Sequence, residues 1–239
     1  MKTSPPSFYE PDIDNNGGYL NQDESHHCIN VLRLKKNDSI YIINGNGSKF
    51  ECKIIDYQQN RCKIDIIKEE VSTQEISKCC IAVAPTKNID RFEWFLEKSC
   101  EIGISEITPI ICKKSERKVV NHQRLEKIIT SSTKQCESLW RPKLNKLISF
   151  DQFISLTNNT IVQKLIAYCF EDNNKKLLKN IYEKNRNVLI LIGPEGDFDQ
   201  TEINLAKNNG FNSISLGNNR LRTETAALAA CLTIQILNS

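Results

Sequence analysis

Residues 191–203 read LIGPEGDFDQTEI, and residues 216–230 read LGNNRLRTETAALAA. In the first stretch an aliphatic run, with the unbroken apolar character of a strand covered on both faces, stops at Gly193-Pro194-Glu195-Gly196. Acids follow where a nucleotide-binding loop carries a lysine. No G-x-x-x-x-G-K-[ST] and no G-x-G-x-x-G is present, so neither a P-loop nor a dinucleotide fingerprint can be read here. Glu195 and Asp197 would repel a triphosphate; the loop suits hydroxyls, amide-like ring edges or positive charge. Asp199 and Glu202 have a structural use, as N-cap and capping-box partner of the next helix, but that use does not require Gly-Pro-Glu-Gly. The second stretch joins Arg222 and Glu224 to a helix almost without polar residues for two turns, which is buried all round or packs on a partner. Charges at such a border are costly unless paired or used. Arg222 and Glu224 therefore either pair with each other and shape the loop, or serve the chemistry.

Around these stretches apolar strands alternate with helices. Strand-like runs stand at 79–84, 107–112, 164–170, 187–193 and 213–217, with helical patterns at 91–104, 122–139, 174–184, 200–209 and 224–237 and an irregular stretch after 139. This alternation predicts a parallel sheet covered on both faces, with ligands beyond the carboxyl ends of the strands. Phe92, Trp94 and Phe95 are expected in its core. Residues 1–72 differ: DESHHCINVLRL (23–34) reads as a short helix with Cys28, Val31 and Leu32 on one face, followed by SIYIIN, KFECKIIDY and RCKIDIIKEE with strand character and Gly/Asn turns between. We expect a small β-rich domain over 1–72, a linker around 71–77 and an α/β domain over 73–239.

The 239 residues carry a net charge of +3. Residues 113–146 alone hold ten Lys/Arg against three Glu, a concentration that suggests a polyanion contact; a solvated lysine-rich helix face is the plainer alternative. Arg117, Arg124 and Arg141, with Trp140 adjacent, favour nucleic acid, because guanidinium and indole also stack on bases. Ten cysteines without a C-x-x-C pair or a secretory h-region read as buried hydrophobes of a cytoplasmic protein, not as disulfides. The three histidines do not fall at metal-ligand spacings, and no metal is expected.

The paired stretches at 191–203 and 216–230 resemble the C-terminal signature of the RsmE family, SPOUT-class methyltransferases that modify N3 of a uridine in small-subunit ribosomal RNA. Supporting matches are His27 with VLRL (31–34), KNIDRFEWFLEKSCEIGISEITPI (87–110), SER (115–117) and KQCESLWRP (134–142). Asp197 stands where the family pattern has a small residue, and ESLWRP replaces a small-residue-Arg pattern. The resemblance implies a PUA-like N-terminal domain for RNA, a C-terminal α/β domain with a deep trefoil knot, a homodimer, and S-adenosylmethionine (SAM) as cofactor. Carried over by position, Phe170, Ile192, Gly193, Pro194, Glu195, Gly196, Leu216, Gly217, Leu221, Arg222 and Thr223 would line the SAM pocket. His27, Arg33, Lys87, Arg117, Arg141 and Arg220 would face RNA.

Uridine keeps its N3 proton at neutral pH, so the implied reaction needs a base or a cation that stabilises the anionic ring. Arg222 is expected in the latter role, with Glu224 as a candidate base. Competing readings are a SPOUT enzyme acting on ribose 2′-oxygen or tRNA, and a non-catalytic RNA-binding assembly factor.

Overall fold

In the computed structural model, residues 5–13, 18–58, 61–72, 77–157, 163–172 and 175–239 are described. The chain divides into two compact units: Met1–Gln74 with Thr130–Arg141, and Glu75–Ile129 with Pro142–Ser239. The expected linker at 71–77 lies partly outside the described residues.

The first unit holds β1 (Ser7–Tyr9), β2 (Gly18–Tyr19), α1 (Gln22–His26), a π turn (His27–Val31), β3 (Ser39–Ile43), β4 (Ser48–Gln58) and β5 (Arg61–Val71). Its sheet runs β1-β3-β4-β5-β2, with β1 parallel to β3 and the other pairs antiparallel. Period-two alternation turns Phe50, Cys52 and Ile54 of β4 into a core shared with Phe8, Ile40, Ile42, Cys62 and Ile64.

The helix expected over 23–34 is shorter and changes pitch. Asn21 caps α1 by accepting from the Glu24 N–H at 3.0 Å. Ser25 anchors it, donating to Leu20 O and accepting from Cys62 N–H. The chain then widens into the π turn, closed by Leu32 N–H donating to His27 O at 2.9 Å. The wider turn rotates the face: Cys28 stays buried, whereas Val31 and Leu32 are exposed, contrary to the single apolar face read from the sequence.

Residues 130–141 belong with this unit although sequence order places them far from it. Leu139–Arg141 zip onto the β3–β4 turn, with Gly47 N–H donating to Leu139 O and Arg141 N–H to Gly45 O. The Trp140 indole lies against Gly47, where a Cβ would come within 2.6 Å of the ring. Lys134 pairs with Glu24 at 2.6 Å.

The second unit continues with β6 (Cys79–Val83), α2 (Ile89–Ile102), β7 (Glu106–Ile111), α3 (His122–Gln135, whose last turns belong to the first unit), β8 (Lys143–Leu144), β9 (Ile148–Ser149) and α4 (Phe150–Leu156). It is completed by β10 (Gln163–Ala167), β11 (Lys176–Leu177), α5 (Leu178–Ile181), β12 (Val188–Ile192), α6 (Gln200–Asn208), β13 (Asn212–Ser215) and α7 (Thr223–Asn238). All its strand pairs are parallel, in the order β11-β13-β10-β12-β6-β7-β8, with β9 also on β7.

Helices cover both faces. Val188, Ile190 and Ile192 of β12 join the core under α2 and α7, and Leu189 and Leu191 join the one under α4 and α6. This is the parallel, doubly covered sheet expected from the unbroken aliphatic runs. Phe92 and Phe95 are buried, but Trp94 is 47% exposed, because two residues along a helix point to nearly opposite sides. The irregular stretch contains α4, capped by Ser149; of the helix expected at 174–184, whose first residue lies outside the described ones, only the single turn α5 forms among the described residues, after the short strand β11.

The capping box at α6 forms as the sequence predicts. The Thr201 hydroxyl and N–H hold the half-buried Asp199 carboxyl down at about 2, so the cap stays ionised at any physiological pH. Glu202 does more than complete the box: it is 2% exposed, one oxygen accepting from Asp199 N–H at 2.7 Å and the other from Lys113 N–H at 2.8 Å. Glu202→Ala strands both donors and is expected to cost about 2–4 kcal/mol in urea denaturation. Glu202→Gln, which keeps one acceptor oxygen, should lose about half as much.

Candidate functional site

Beyond the carboxyl ends of β10, β12 and β13 lies a cavity of about 670 Å³, a size that accommodates a nucleoside-bearing ligand. Three segments line it: Ala167–Cys169 with Lys175, Ile192–Glu195 with Asp197, and Ile214–Thr223.

The first wall is the Gly-Pro-Glu-Gly turn. A Cβ on Gly193 would stand 3.1 Å from the Phe198 ring and 3.2 Å from the Phe198 backbone nitrogen, so glycine lets the chain fold back and bury Phe198 completely. The turn closes with Asp197 N–H donating to Pro194 O at 2.9 Å. Asp197 has φ +62, which explains why a small residue fits this position; aspartate is among the side chains that tolerate the left-handed region. Its carboxylate is then used twice, accepting from Cys169 N–H at 2.7 Å and Phe198 N–H at 2.9 Å. The departure from the family pattern thus ties the β10 loop to the β12 loop.

The second wall is the loop into α7. Gly217, which lines the cavity, has φ +134, and a Cβ there would meet nothing within 4 Å, so open space surrounds it. Thr223 locks the start of α7 to the first wall, its hydroxyl donating to Gly193 O at 3.0 Å. Arg220 reaches Glu195 O at 3.4 Å. Arg222 is exposed on the cavity wall and has no ion-pair partner among the described residues.

Of the residues expected in the pocket, Ile192, Gly193, Pro194, Glu195, Leu216, Gly217, Leu221, Arg222 and Thr223 line this cavity together. Gly196 sits behind it against Lys114, and the Phe170 ring is 43% exposed with the Lys114 ammonium 5.3 Å from its centroid. Glu224 does not line the cavity either. It is 6% exposed, with Oε1 at 4.0 Å from Arg91 Nε of α2 and Oε2 without a hydrogen-bond partner. Of the two alternatives left open by the sequence, an Arg222–Glu224 ion pair is not formed among the described residues: Glu224 turns to Arg91 on α2 instead. Tyr168, Cys169, Asn218 and Asn219, within strand ends expected to face a ligand but not singled out there, also line the cavity, and Lys175 joins them unforeseen. Ligands are expected beyond the carboxyl ends of the strands, which covers the end of the 164–170 run, but nothing local marks Lys175. Burial, with Asp197 nearby, raises the Cys169 pKa, so this cysteine is poorly suited as a nucleophile.

The residues expected to face RNA fall into two groups. Lys87, Arg117 and Arg220 belong to the second unit. Lys87 N–H donates to Glu195 Oε1 at 2.9 Å, while its exposed ammonium pairs with Glu116 at 2.7 Å. Arg117 spends its guanidinium on the Thr86 and Lys87 carbonyls, at 2.9 and 2.6 Å, and so fixes the 86–88 loop. His27, Arg33 and Arg141 belong to the first unit. His27 meets Phe8 edge-on, Arg33 is exposed at φ +54 directly after the π turn, and Arg141 stands over Tyr9 with Nε on the Thr130 hydroxyl. No cluster of three or more possible metal ligands occurs among the described residues, and no helix there is long and apolar enough to cross a membrane.

Comparison with known proteins agrees with this arrangement. Residues 73–235 match the RNA methyltransferase domain, and residues 20–67 match the RNA methyltransferase PUA domain. The chain is 32% identical to ribosomal RNA small subunit methyltransferase E of Rickettsia conorii, over 90% of this chain and 87% of that protein. A probable rRNA-methyltransferase from Porphyromonas gingivalis superposes with a TM-score of 0.88 at 37% identity, over 98% of both chains. A ribosomal RNA small subunit methyltransferase E from Neisseria gonorrhoeae, solved bound to S-adenosyl methionine, gives 0.84 at 28% identity over 98% of both. A PUA domain preceding a parallel-sheet methyltransferase domain, with relatives aligned along nearly the whole chain, places this protein in the family of ribosomal RNA small subunit methyltransferase E.

Proposed function

We propose that this protein transfers a methyl group from SAM to N3 of a uridine in the small-subunit ribosomal RNA. The observation that carries the reading is the cavity beyond β10, β12 and β13, walled by Gly193–Glu195 and Leu216–Thr223 and open at Gly217, where a bound ligand can approach the backbone. Backbone N–H and C=O groups of such loops can read an adenine edge, and the N. gonorrhoeae relative was solved with this cofactor.

The cofactor supplies an electrophilic methyl carbon on a sulfonium. The chain's own tasks are to align the acceptor and to stabilise the uracil as N3 gives up its proton to solvent water. Arg222 is the residue we assign to that charge. Exposed and without an ion-pair partner, it can meet the carbonyl oxygens over which the anionic ring spreads its charge. Arg220, on the same loop, is suited to a phosphate at the cavity mouth, and Lys87 and Arg117 to shaping the loop beside it. Glu224, facing Arg91, is better suited to setting the first turn of α7 than to accepting the proton.

In the same reading the domain of residues 1–72 binds RNA through His27, Arg33 and the incorporated Arg141, and the domain of 73–239 transfers the methyl group. The segment 216–223 is proposed to thread the trefoil knot implied by the resemblance. In support, β13 is separated from β12 by β10, while α7 returns to pack on β12, β6 and α2. A homodimer is proposed from the apolar residues left exposed on α2 and α7: Trp94, and Leu232 with Ile236 one turn apart. A ribosomal substrate implies a cytoplasmic location, and recognition by two domains favours the assembled subunit over naked RNA. Incubation with methyl-labelled SAM and small subunits, naked small-subunit RNA or tRNA tests this directly. Label should enter the small subunit, and label in tRNA alone would overturn the proposal.

A further inference from the structure

Three cations line the cavity: Lys175, Arg220 and Arg222. Lys175 differs from the other two in being held in place before any ligand arrives. Its ammonium donates to Tyr168 O at 2.6 Å and to Phe170 O, and it stands 4.0 Å from the centroid of the Tyr168 ring. An ammonium has three N–H donors, so these two carbonyls leave one for a ligand.

No carboxylate among the described residues is within ion-pair distance of Lys175. The two acids nearest in the fold are already engaged. Asp172 takes the Tyr168 hydroxyl at 2.5 Å and the Lys207 ammonium at 2.7 Å, and both Asp197 oxygens accept backbone N–H groups. The tyrosine that underlies Lys175 is itself fixed, its hydroxyl also 2.9 Å from the Ser213 hydroxyl. Burial lowers the Lys175 pKa against the opposing pull of Asp197. A partly dehydrated cation, positioned by its neighbours and short of an anion, is a recognition element for a ligand carboxylate.

We propose that Lys175 binds the α-carboxylate of the amino-acid arm of the cofactor, and so selects a nucleoside carrying a free amino acid over one without it. The proposal rests on the reading of this cavity as the SAM pocket and assigns one end of the ligand within it. The glycine-flanked loops offer backbone to the nucleoside, whereas Lys175 over Tyr168 offers charge.

Two ligands that share the nucleoside and differ in the arm separate this role from general support of the pocket. S-adenosylhomocysteine carries the amino acid, and 5′-methylthioadenosine lacks it. By calorimetry, Lys175→Met should weaken S-adenosylhomocysteine about tenfold or more, the worth of one charge-assisted hydrogen bond, and leave 5′-methylthioadenosine within twofold. Lys175→Arg should recover part of the loss, and unchanged thermal midpoints would report intact folding. Equal losses for both ligands would overturn the proposal, making Lys175 a support of the loop. Unchanged affinity for both would also overturn it, as would a loss confined to RNA binding, which would mark a phosphate contact. Failure of the unmodified protein to bind either ligand would overturn the SAM reading itself, a different result from any produced by the variants alone.

Discussion

Arg222→Ala is expected to lower the rate of methyl transfer at saturating SAM by a factor of about 10²–10³, the usual cost of removing one pre-positioned stabiliser of developing charge, while SAM affinity changes only a few-fold. Arg222 lines the cavity and is exposed, and no described carboxylate pairs with its guanidinium, so its charge is not already spent inside the fold. A uridine anion concentrates its charge on N3 and the two carbonyl oxygens beside it, and a guanidinium can donate to one of those oxygens while leaving N3 open to the methyl group. Without the cation, deprotonation has to be driven by solution pH, and the residual rate of the variant should climb more steeply toward alkaline pH than that of the unmodified protein. Lysine at this position keeps the charge but not the fork and should restore only part of the rate. Unchanged turnover at saturating SAM would remove Arg222 from the chemistry.

The second large effect is expected at Gly217. Its φ of +134 strains any side chain, and a β-branched one most of all. The strain should cost about 1–3 kcal/mol of stability. A valine would also add bulk at the cavity wall, in space that nothing in the chain fills. Gly217→Val is therefore expected to weaken SAM more than 100-fold as well as to lower the thermal midpoint. Gly210 provides the matched control: it too has positive φ, at +86, and open space around it, but it is outside the cavity lining. Gly210→Val should lose comparable stability and keep its cofactor affinity. If both variants lost SAM binding equally, the effect at Gly217 would be one of stability alone.

How far the sequence alone could go depended on the range of the interactions. The run at 188–192 betrayed its strand because both faces are covered, leaving no polar residue to interrupt it. Gly193, Gly217 and Thr223 were legible because the geometry they satisfy lies within their own loops. The boundary between units was less so: residues 130–141 join the N-terminal unit through hydrogen bonds to the 45–47 turn, nearly a hundred positions away, and no local pattern encodes that pairing. Lys175 was invisible for the same reason, since its meaning comes from Tyr168 beneath it and from the prior engagement of Asp172 and Asp197. Val31 and Leu32 were misread because a π turn breaks the 3.6-residue period on which a helical face is drawn. Whether Arg222 and Glu224 pair could not be decided locally, because Glu224, in the first turn of α7, is carried round to Arg91 on α2.

The claim that the cavity serves transfer to N3 of uridine is tested most directly by the chemical identity of the product. Small subunits incubated with this protein and methyl-labelled SAM, then digested to nucleosides, can be resolved by chromatography and mass spectrometry. The account predicts label in 3-methyluridine at a single position of the small-subunit RNA, and its loss with Arg222→Ala. Label in a 2′-O-methylated nucleoside, or in none while the protein still binds the subunit, would contradict it.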